Sequence, residues 1–371
     1  MNKFKFYFIL LITTLSIFSC SKNDDSATVE PIRDYQTQHD AEIKIIEDYL
    51  KTNYITVTNA PGQTSDQDVV ISKITDATTQ PSIMSYLDAP TYPKLIKGKV
   101  SLHSIEYTLY YLVLREGVKD AVTGLGGVSP CNVDGVLTSY RGTYLSQTTA
   151  TDSTPSTITA TQFEEAVLPG DFLSLFSTIT GWGETFPKFK TGSYVSNPNG
   201  TVTYNGFGSG VMFLPSGLGY YASGSFAIPS YSPLVFSFKL YEIKRLDQDN
   251  DGIPSYLEDV NVGGADGYVR ILGVGVDNPD DSDKDGIPDF YDVDDDGDNY
   301  TTRLEITKPG GSNLLLDGPS AYYPFDPIVS DPPKLTDEKR GVPAYSATGT
   351  PDYTSPGRKR INLDKEHHTA N

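Results

Sequence analysis

Apolar and polar positions alternate most cleanly late in the chain, where Leu234, Phe236, Phe238 and Leu240 interleave with Val235, Ser237 and Lys239. A period of two is that of a half-buried strand. Earlier, Val100 and Leu102 lead into Tyr107-Thr108-Leu109-Tyr110-Tyr111-Leu112-Val113-Leu114, a run dense in β-formers. A different period governs Asp40 to Lys51. There Ile43, Ile46 and Leu50 recur at i, i+3 and i+7, which predicts an amphipathic helix with Asp40 or Glu42 at its start. Thr56 to Pro93 is rich in Thr, Asp, Pro and Ser and reads as short strands and loops of a small N-terminal region. Ser146 to Thr161 is a Thr/Ser run without apolar periodicity, expected to be a flexible surface insertion. Beyond it, Thr178-Ile179-Thr180-Gly181 brings a β-branched run and a glycine up to Trp182, the only tryptophan. That context predicts an indole laid into an apolar floor, with aromatic residues gathered round one concave, mostly apolar site.

The first nineteen residues belong to no fold. Lys3 and Lys5 precede an apolar run from Phe6 to Phe18, and Ser19 stands before Cys20. A basic start, a short apolar stretch and a small residue before the cut describe a secretory signal. The cysteine directly after the cut makes it a bacterial lipoprotein signal, with Cys20 lipidated. The run is too short for the roughly 20 residues of a membrane span, so the mature protein is expected to be anchored to the cell envelope through the lipid on Cys20. Residues 20–99 then form a tether and an N-terminal helical and loop region. With Cys20 lipidated, Cys131 has no disulfide partner, and no histidine lies near it, so a buried structural thiol is expected.

Three separated motifs carry a resemblance. Thr178 to Trp182, Leu214 to Tyr221 and Ile228 to Phe236 resemble, in order and spacing, the V-I-x-G-W helix entry, the I-P-x-x-L-x-Y-G loop and the I-P-x-x-x-x-L-V-F closing strand of the FKBP-type peptidyl-prolyl isomerases. Gly135 to Tyr144 is similar to that family's V-x-Y-x-G strand. The likeness covers roughly Ser101 to Lys244. It implies an α+β fold, an antiparallel sheet wrapped on a short helix, over a domain of residues 100–246. It also implies a site with Trp182 beneath the proline ring, Ile179 beside it, Tyr140, Tyr220 and Phe236 as walls and Ile228 on the far side. The Ile179 N–H and the Tyr220 hydroxyl would hydrogen-bond the peptide. Thr178 replaces the family's valine, Tyr221 replaces its glycine, and its Phe–Asp pair falls at Thr151-Asp152. Phe238 and Leu240 read as core.

Such a pocket needs no acid, nucleophile or metal. Rotation about an X-Pro amide meets a barrier of roughly 18–20 kcal/mol because the C–N bond has partial double-bond character. The twisted transition state loses charge separation, so an apolar aromatic pocket matches it better than the planar amide. No G-x-S-x-G or H-E-x-x-H occurs, and two of the four histidines stand at His367 and His368.

Charge changes the picture after the last strand. Between Asp247 and Asp298 there are 17 acidic residues and two basic ones, Arg270 and Lys284. Asp247, Asp249, Asp251, Gly252 and Glu258 stand at positions 1, 3, 5, 6 and 12 of a D-x-D-x-D-G-x5-E loop. A second loop has Asp281, Asp283, Asp285, Gly286, Asp289 and Asp292. A third is read as starting on that same Asp292, with Asp294, Asp296 and Gly297. Alternating carboxylates suit a hard cation, Ca2+ before Mg2+, here as a structural ion rather than a catalytic cofactor. Ile253-Pro254 and Ile287-Pro288 put proline inside the loops, so residues 247–298 resemble thrombospondin type 3 repeats. Residues 299–371 are rich in Pro, Gly, Ser and Tyr, with too little apolar periodicity for a core, and are expected to drape on the body or be disordered.

The net charge of −19 disfavours nucleic acid and anionic membrane surfaces as partners. The sequence therefore points to a lipid-anchored prolyl isomerase or chaperone acting on proline-containing exported polypeptides. Two rival readings stay open, a catalytically silent FKBP-type binding module and a Ca2+-stabilised adhesin. The boundary near Leu246 predicts that the isomerase domain works independently of the ions.

Overall fold

The computed structural model describes residues 31–150, 155–259, 267–272, 276–310 and 314–370. Cys20 and the expected lipoprotein signal lie outside the described residues. No helix among those described is long and apolar enough to cross a membrane.

The amphipathic periodicity becomes helix α1 (Tyr35–Thr52), which runs directly into the hairpin β1 (Asn53–Val57) and β2 (Val69–Lys73). A seven-stranded antiparallel sheet comes next, from β3 (Lys94–Leu102), β4 (Ile105–Arg115), β5 (Gly135–Gln147), β6 (Ile158–Ala166), β7 (Leu173–Ser174), β10 (Gly208–Leu214) and β11 (Leu234–Lys244). Its order is β3-β4-β10-β11-β5-β6, with β7 pairing β5. A short helix α2 (Thr180–Thr185) and a hairpin of β8 (Ser193–Ser196) and β9 (Val202–Asn205) lie between β7 and β10. The architecture is α+β, an antiparallel sheet with helices packed on it.

β11 sits in the middle of the sheet, and its two faces enter two different cores. Leu234, Phe236, Phe238 and Leu240 pack with Trp182, Phe186, Phe189, Met212 and Leu214. Val235 points the other way and packs with Ile46, Tyr49 and Leu50 of α1 and with Val69, Leu95, Tyr110, Leu112 and Phe213. The strand is thus buried on both sides rather than half-buried, because α1 and the β1–β2 hairpin cover the back of the sheet. Even Lys239 is buried there, its Nζ donating to Asp68 Oδ1 at 2.5 Å and to the Thr64 carbonyl at 2.7 Å. The N-terminal region is therefore part of the sheet's core, and the expected boundary at residue 100 cuts through β3. Gly181 explains how α2 comes so close, since a Cβ there would meet Leu214 at 2.4 Å.

Three other expectations change. The Thr/Ser run is largely an extension of the β5–β6 hairpin, with Thr157 N–H donating to Thr148 Oγ1 at 3.0 Å; positions 151–154 lie outside the described residues. The Asp-rich segment does not begin a separate body, since Val269 and Phe290 are buried with Cys131 and Val133, against Phe176. The tail has a small core, in which Ile253 packs with Ile306, Tyr323, Val342 and Ile361. Its apolar residues are too far apart in sequence to show a period, and Ile253 of the first acidic loop joins the cluster they form. Two short helices, α3 (Thr302–Glu305) and α4 (Leu314–Asp317), occur within it.

Candidate functional site

The six residues expected to form a proline pocket come together in one core. Trp182, Ile228 and Phe236 are buried, and Tyr140, Ile179 and Tyr220 are half-buried against them. Edge-to-face geometry organises the rings: Tyr140 meets Trp182 at 5.0 Å and 82°, and Trp182 meets Phe236 at 5.4 Å and 90°. Such pairs are worth about 0.5–1.5 kcal/mol beyond the area they bury. Ile179 caps α2 in an extended conformation, its carbonyl accepting the Trp182 N–H at 2.9 Å. Trp182 Nε1 is buried without a hydrogen-bond partner among the described residues. Phe238 and Leu240 are buried core, as expected.

Two residues that sequence reasoning missed complete this site. Phe163 of β6 packs edge-on against Phe236 at 5.6 Å. Its neighbour Glu164 stands beside the Tyr140 hydroxyl, whose pKa is pushed up to about 12, first by burial and then by that carboxylate. Tyr220 is raised for the same two reasons. Phe163-Glu164 is thus an aromatic–acid pair beside this core; Thr151-Asp152, where the resemblance put such a pair, lies outside the described residues. The sequence signal was there in Phe163-Glu164-Glu165, but the Thr/Ser run before it hid the strand. Tyr221, in place of the expected glycine, has φ +39° and stacks on Tyr35 at 4.5 Å.

The acidic segment forms three loops with one shared backbone design. In each, the position-6 N–H donates to the position-1 carboxylate: Gly252 to Asp247 at 3.2 Å, Gly286 to Asp281 at 3.0 Å and Asn299 to Asp294 at 3.0 Å. Position 5 donates to position 3 in the same way, Asp251 to Asp249, Asp285 to Asp283 and Asp298 to Asp296. Position 6 has positive φ in all three, +109°, +99° and +75°, which glycine and asparagine tolerate best. The third loop thus runs from Asp294 to Glu305, two residues later than the register expected from Asp292. The physical reason is at position 12: a start at Asp292 puts Arg303 there, whereas a start at Asp294 puts Glu305.

Carboxylate oxygens converge in four sets, Asp247–Asp249–Asp251, Asp281–Asp283–Asp285, Asp294–Asp296–Asp298 and Asp251–Glu258–Asp295, each within 4.8 Å. The last joins the first loop to the third. Glu258 is 3 % exposed and Asp295 2 % exposed, yet both Glu258 oxygens and Asp295 Oδ1 have no hydrogen-bond partner among the described residues. Asp249 is pushed up to about 8 and Asp251 to about 7, first by burial and then by neighbouring carboxylates. Glu305, with both oxygens buried and unpartnered among the described residues, is pushed up to about 9 by burial and by Asp296, Asp298 and Asp294. Asp289 instead accepts from Ser282 N–H and Oγ, both at 2.7 Å, and closes its loop at position 9. Asp292 sits at position 12 of the second loop and does not head the third.

The acidic segment also touches the helix of the aromatic site. Tyr268 donates its hydroxyl to Glu184 of α2, and Asn132 exchanges two hydrogen bonds with Val269, at 2.8 and 2.9 Å. Phe290 packs edge-on against Phe176 at 5.2 Å. Cys131 is a buried thiol donating to Asn132 Oδ1 at 3.2 Å, its pKa raised by burial, in keeping with a structural role.

A family model described as BamM C-terminal matches residues 248–336. That range crosses residue 298, where the acidic repeats were expected to end, and so agrees with a core shared between loops and tail. The thrombospondin likeness remains one of spacing. Among solved structures, the chain is similar to a peptidyl-prolyl cis-trans isomerase from Pseudomonas syringae pv. tomato, with 20% identity over 37% of this chain and 75% of that one and a TM-score of 0.25. It is also similar to FkpA from Escherichia coli, with 23% identity over 42% of this chain and a TM-score of 0.26. The alignment spans 54%, about half, of that protein's length. No curated protein matches the chain.

Proposed function

We propose that this chain is an FKBP-type peptidyl-prolyl isomerase or folding chaperone for exported polypeptides, lipid-anchored through Cys20 and stabilised by Ca2+ in its acidic loops. The observation that carries the catalytic part is the aromatic box, in which Tyr140 and Phe236 stand edge-on to a buried Trp182, with Ile228 buried in the same cluster and Ile179 and Tyr220 half-buried against it. An apolar enclosure of this kind favours a twisted, charge-poor amide over a planar one. The Ile179 N–H and Tyr220 hydroxyl are the groups that would hold the peptide. A protease-coupled assay on an Ala-X-Pro-Phe peptide tests it, using the soluble chain without residues 1–20. Isomerisation above the uncatalysed rate, reduced at least tenfold by Tyr220→Ala, is expected; a wild-type rate equal to background overturns catalysis.

Tyr221 favours a second reading. With rings of Tyr35 and Tyr231 at 4.5 and 5.1 Å, it fills space that a glycine would leave open beside Tyr220. A narrowed pocket suits a silent peptide-binding module, which would bind proline peptides in the same titration yet leave their isomerisation unchanged.

The ion part rests on the unpartnered oxygens of Glu258, Asp295 and Glu305. Buried polar groups are almost always partnered, and oxygen-only sets at this spacing suit Ca2+. Calorimetric titration of Ca2+ into EDTA-treated protein tests it, and absence of heat at millimolar Ca2+ overturns it.

A further inference from the structure

The turn that presents Tyr220 is held by a carboxylate 174 residues away in the chain. Glu42 of α1 is 1 % exposed; its Oε2 accepts the Ser216 N–H at 2.7 Å, and its Oε1 accepts the Ser216 hydroxyl at 2.6 Å. Gln38, one helical turn earlier, donates to the same Oε1 at 2.6 Å and orients it. Ser216 in turn organises the rest of the turn, its carbonyl accepting the N–H groups of Gly219 at 2.9 Å and Tyr221 at 3.0 Å. The turn has no slack, because a Cβ on Gly217 would meet the Tyr107 ring at 2.4 Å. Tyr35, on the same helix, stacks on Tyr221 at the far end of the turn. One helix therefore grips both ends of the segment that sets the Tyr220 hydroxyl.

A buried carboxylate is a poor device for stability alone, since apolar residues of similar size commonly stabilise as well or better. What hydrogen bonds to a charged group add is a single geometry. We propose that Glu42 is a positioning residue, fixing the Ser216–Tyr221 turn so that Tyr220 can hold a proline-containing peptide against the aromatic box. The inference rests on the proline-pocket reading and makes α1 a working part of that pocket.

The test uses the full chain, measuring X-Pro isomerisation together with proline-peptide affinity from the fluorescence of Trp182, the only tryptophan. Glu42→Ala is expected to lower kcat/KM by about tenfold to a hundredfold. The loss should fall mainly in KM, because the Tyr220 contact is made in ground and transition states alike. Glu42→Gln keeps an acceptor for the Ser216 N–H and should recover most of the loss. Added to Tyr220→Phe, Glu42→Ala should cost little more, the mark of two residues acting through one contact. Should Glu42→Ala fail to fold, Ser216→Ala removes one of the two Ser216 bonds and is expected to weaken affinity by about threefold. A folded Glu42→Ala with wild-type affinity and kcat/KM, or with losses that multiply those of Tyr220→Phe, overturns the role of Glu42. A wild-type chain that neither isomerises nor binds the peptide overturns the pocket reading and the inference with it.

Discussion

The sheet and the acidic loops both bury polar groups, but they satisfy them differently. Around the sheet, two buried charged side chains find partners within the chain, Lys239 in Asp68 and a carbonyl and Glu42 of α1 in Ser216 and Gln38. In the loops, Glu258, Asp295 and Glu305 bury carboxylate oxygens that meet mainly other carboxylates. Like charges brought together and desolvated raise one another's pKa, so the loops as folded favour either protons or a cation. The first region is stabilised by apolar area, and on the ion reading the second depends in addition on what it binds.

Removing the ions should have the largest effect. Binding to the folded form alone stabilises it by RT ln(1 + [L]/Kd), roughly 2.7 kcal/mol per site at a hundredfold excess. EDTA should therefore lower the melting temperature and open Arg270 and Lys284 to trypsin. Unchanged melting and cleavage at about 5 mM Ca2+, above the 10⁻⁴–10⁻³ M range of extracellular modules, would break the contrast. In EDTA the pH slope is also defined. Asp249 at about 8 and Asp251 and Asp289 at about 7 all stand above their ordinary value of 3.8. The folded form then binds more protons than the unfolded one between about pH 4 and pH 8, so stability falls as pH rises through that window. With saturating Ca2+ the slope should reverse, because protons compete with the ion. Melting curves at pH 5 and pH 8, with and without Ca2+, check both signs.

Next in size is Trp182→Ala. The indole is buried among Tyr140, Phe186 and Phe236, so its removal should cost about 3–5 kcal/mol in addition to peptide binding. Denaturant melts will show whether the pocket floor is also core; a loss of binding at wild-type stability would separate the two. This makes Tyr220→Ala, at a half-buried rim position, the cleaner probe of function.

Glu305→Gln sharpens the register of the third loop. It should weaken one class of Ca2+ sites by tenfold or more, whereas Arg303→Gln, at the position 12 of the alternative register, should leave Ca2+ affinity within about twofold. Calorimetry distinguishes them. The smallest effect expected is that of Tyr268→Phe, which removes the bond to Glu184 on the helix bearing Trp182 and should cost about 1 kcal/mol. Through this contact and the Asn132–Val269 pair, EDTA should weaken peptide affinity as well. That reverses the independence expected from a boundary near Leu246, and full activity in EDTA would restore it.

Local pattern was enough for β11, α1 and the first two acidic loops. A period of two marked β11, a period of 3.6 marked α1, and D-x-D-x-D-G spacing marked the first two loops, because each depends on neighbours within a dozen residues. Trp182, Tyr140, Ile179, Tyr220, Ile228 and Phe236 were likewise legible, but only through motifs whose order implied a common pocket. What tertiary structure decided lies between distant segments. Nothing near Val235 or Lys239 says that α1 will cover the back of the sheet, and nothing near Ser216 announces Glu42. Asp295 looks like one more acid in a row until the loops fold and aim it at Asp251 and Glu258. The physical reason is common to all of these. Periodicity records which face of an element is buried, whereas the partner that covers the face, or that meets a charge placed there, is chosen by packing between segments far apart in sequence and leaves no local trace.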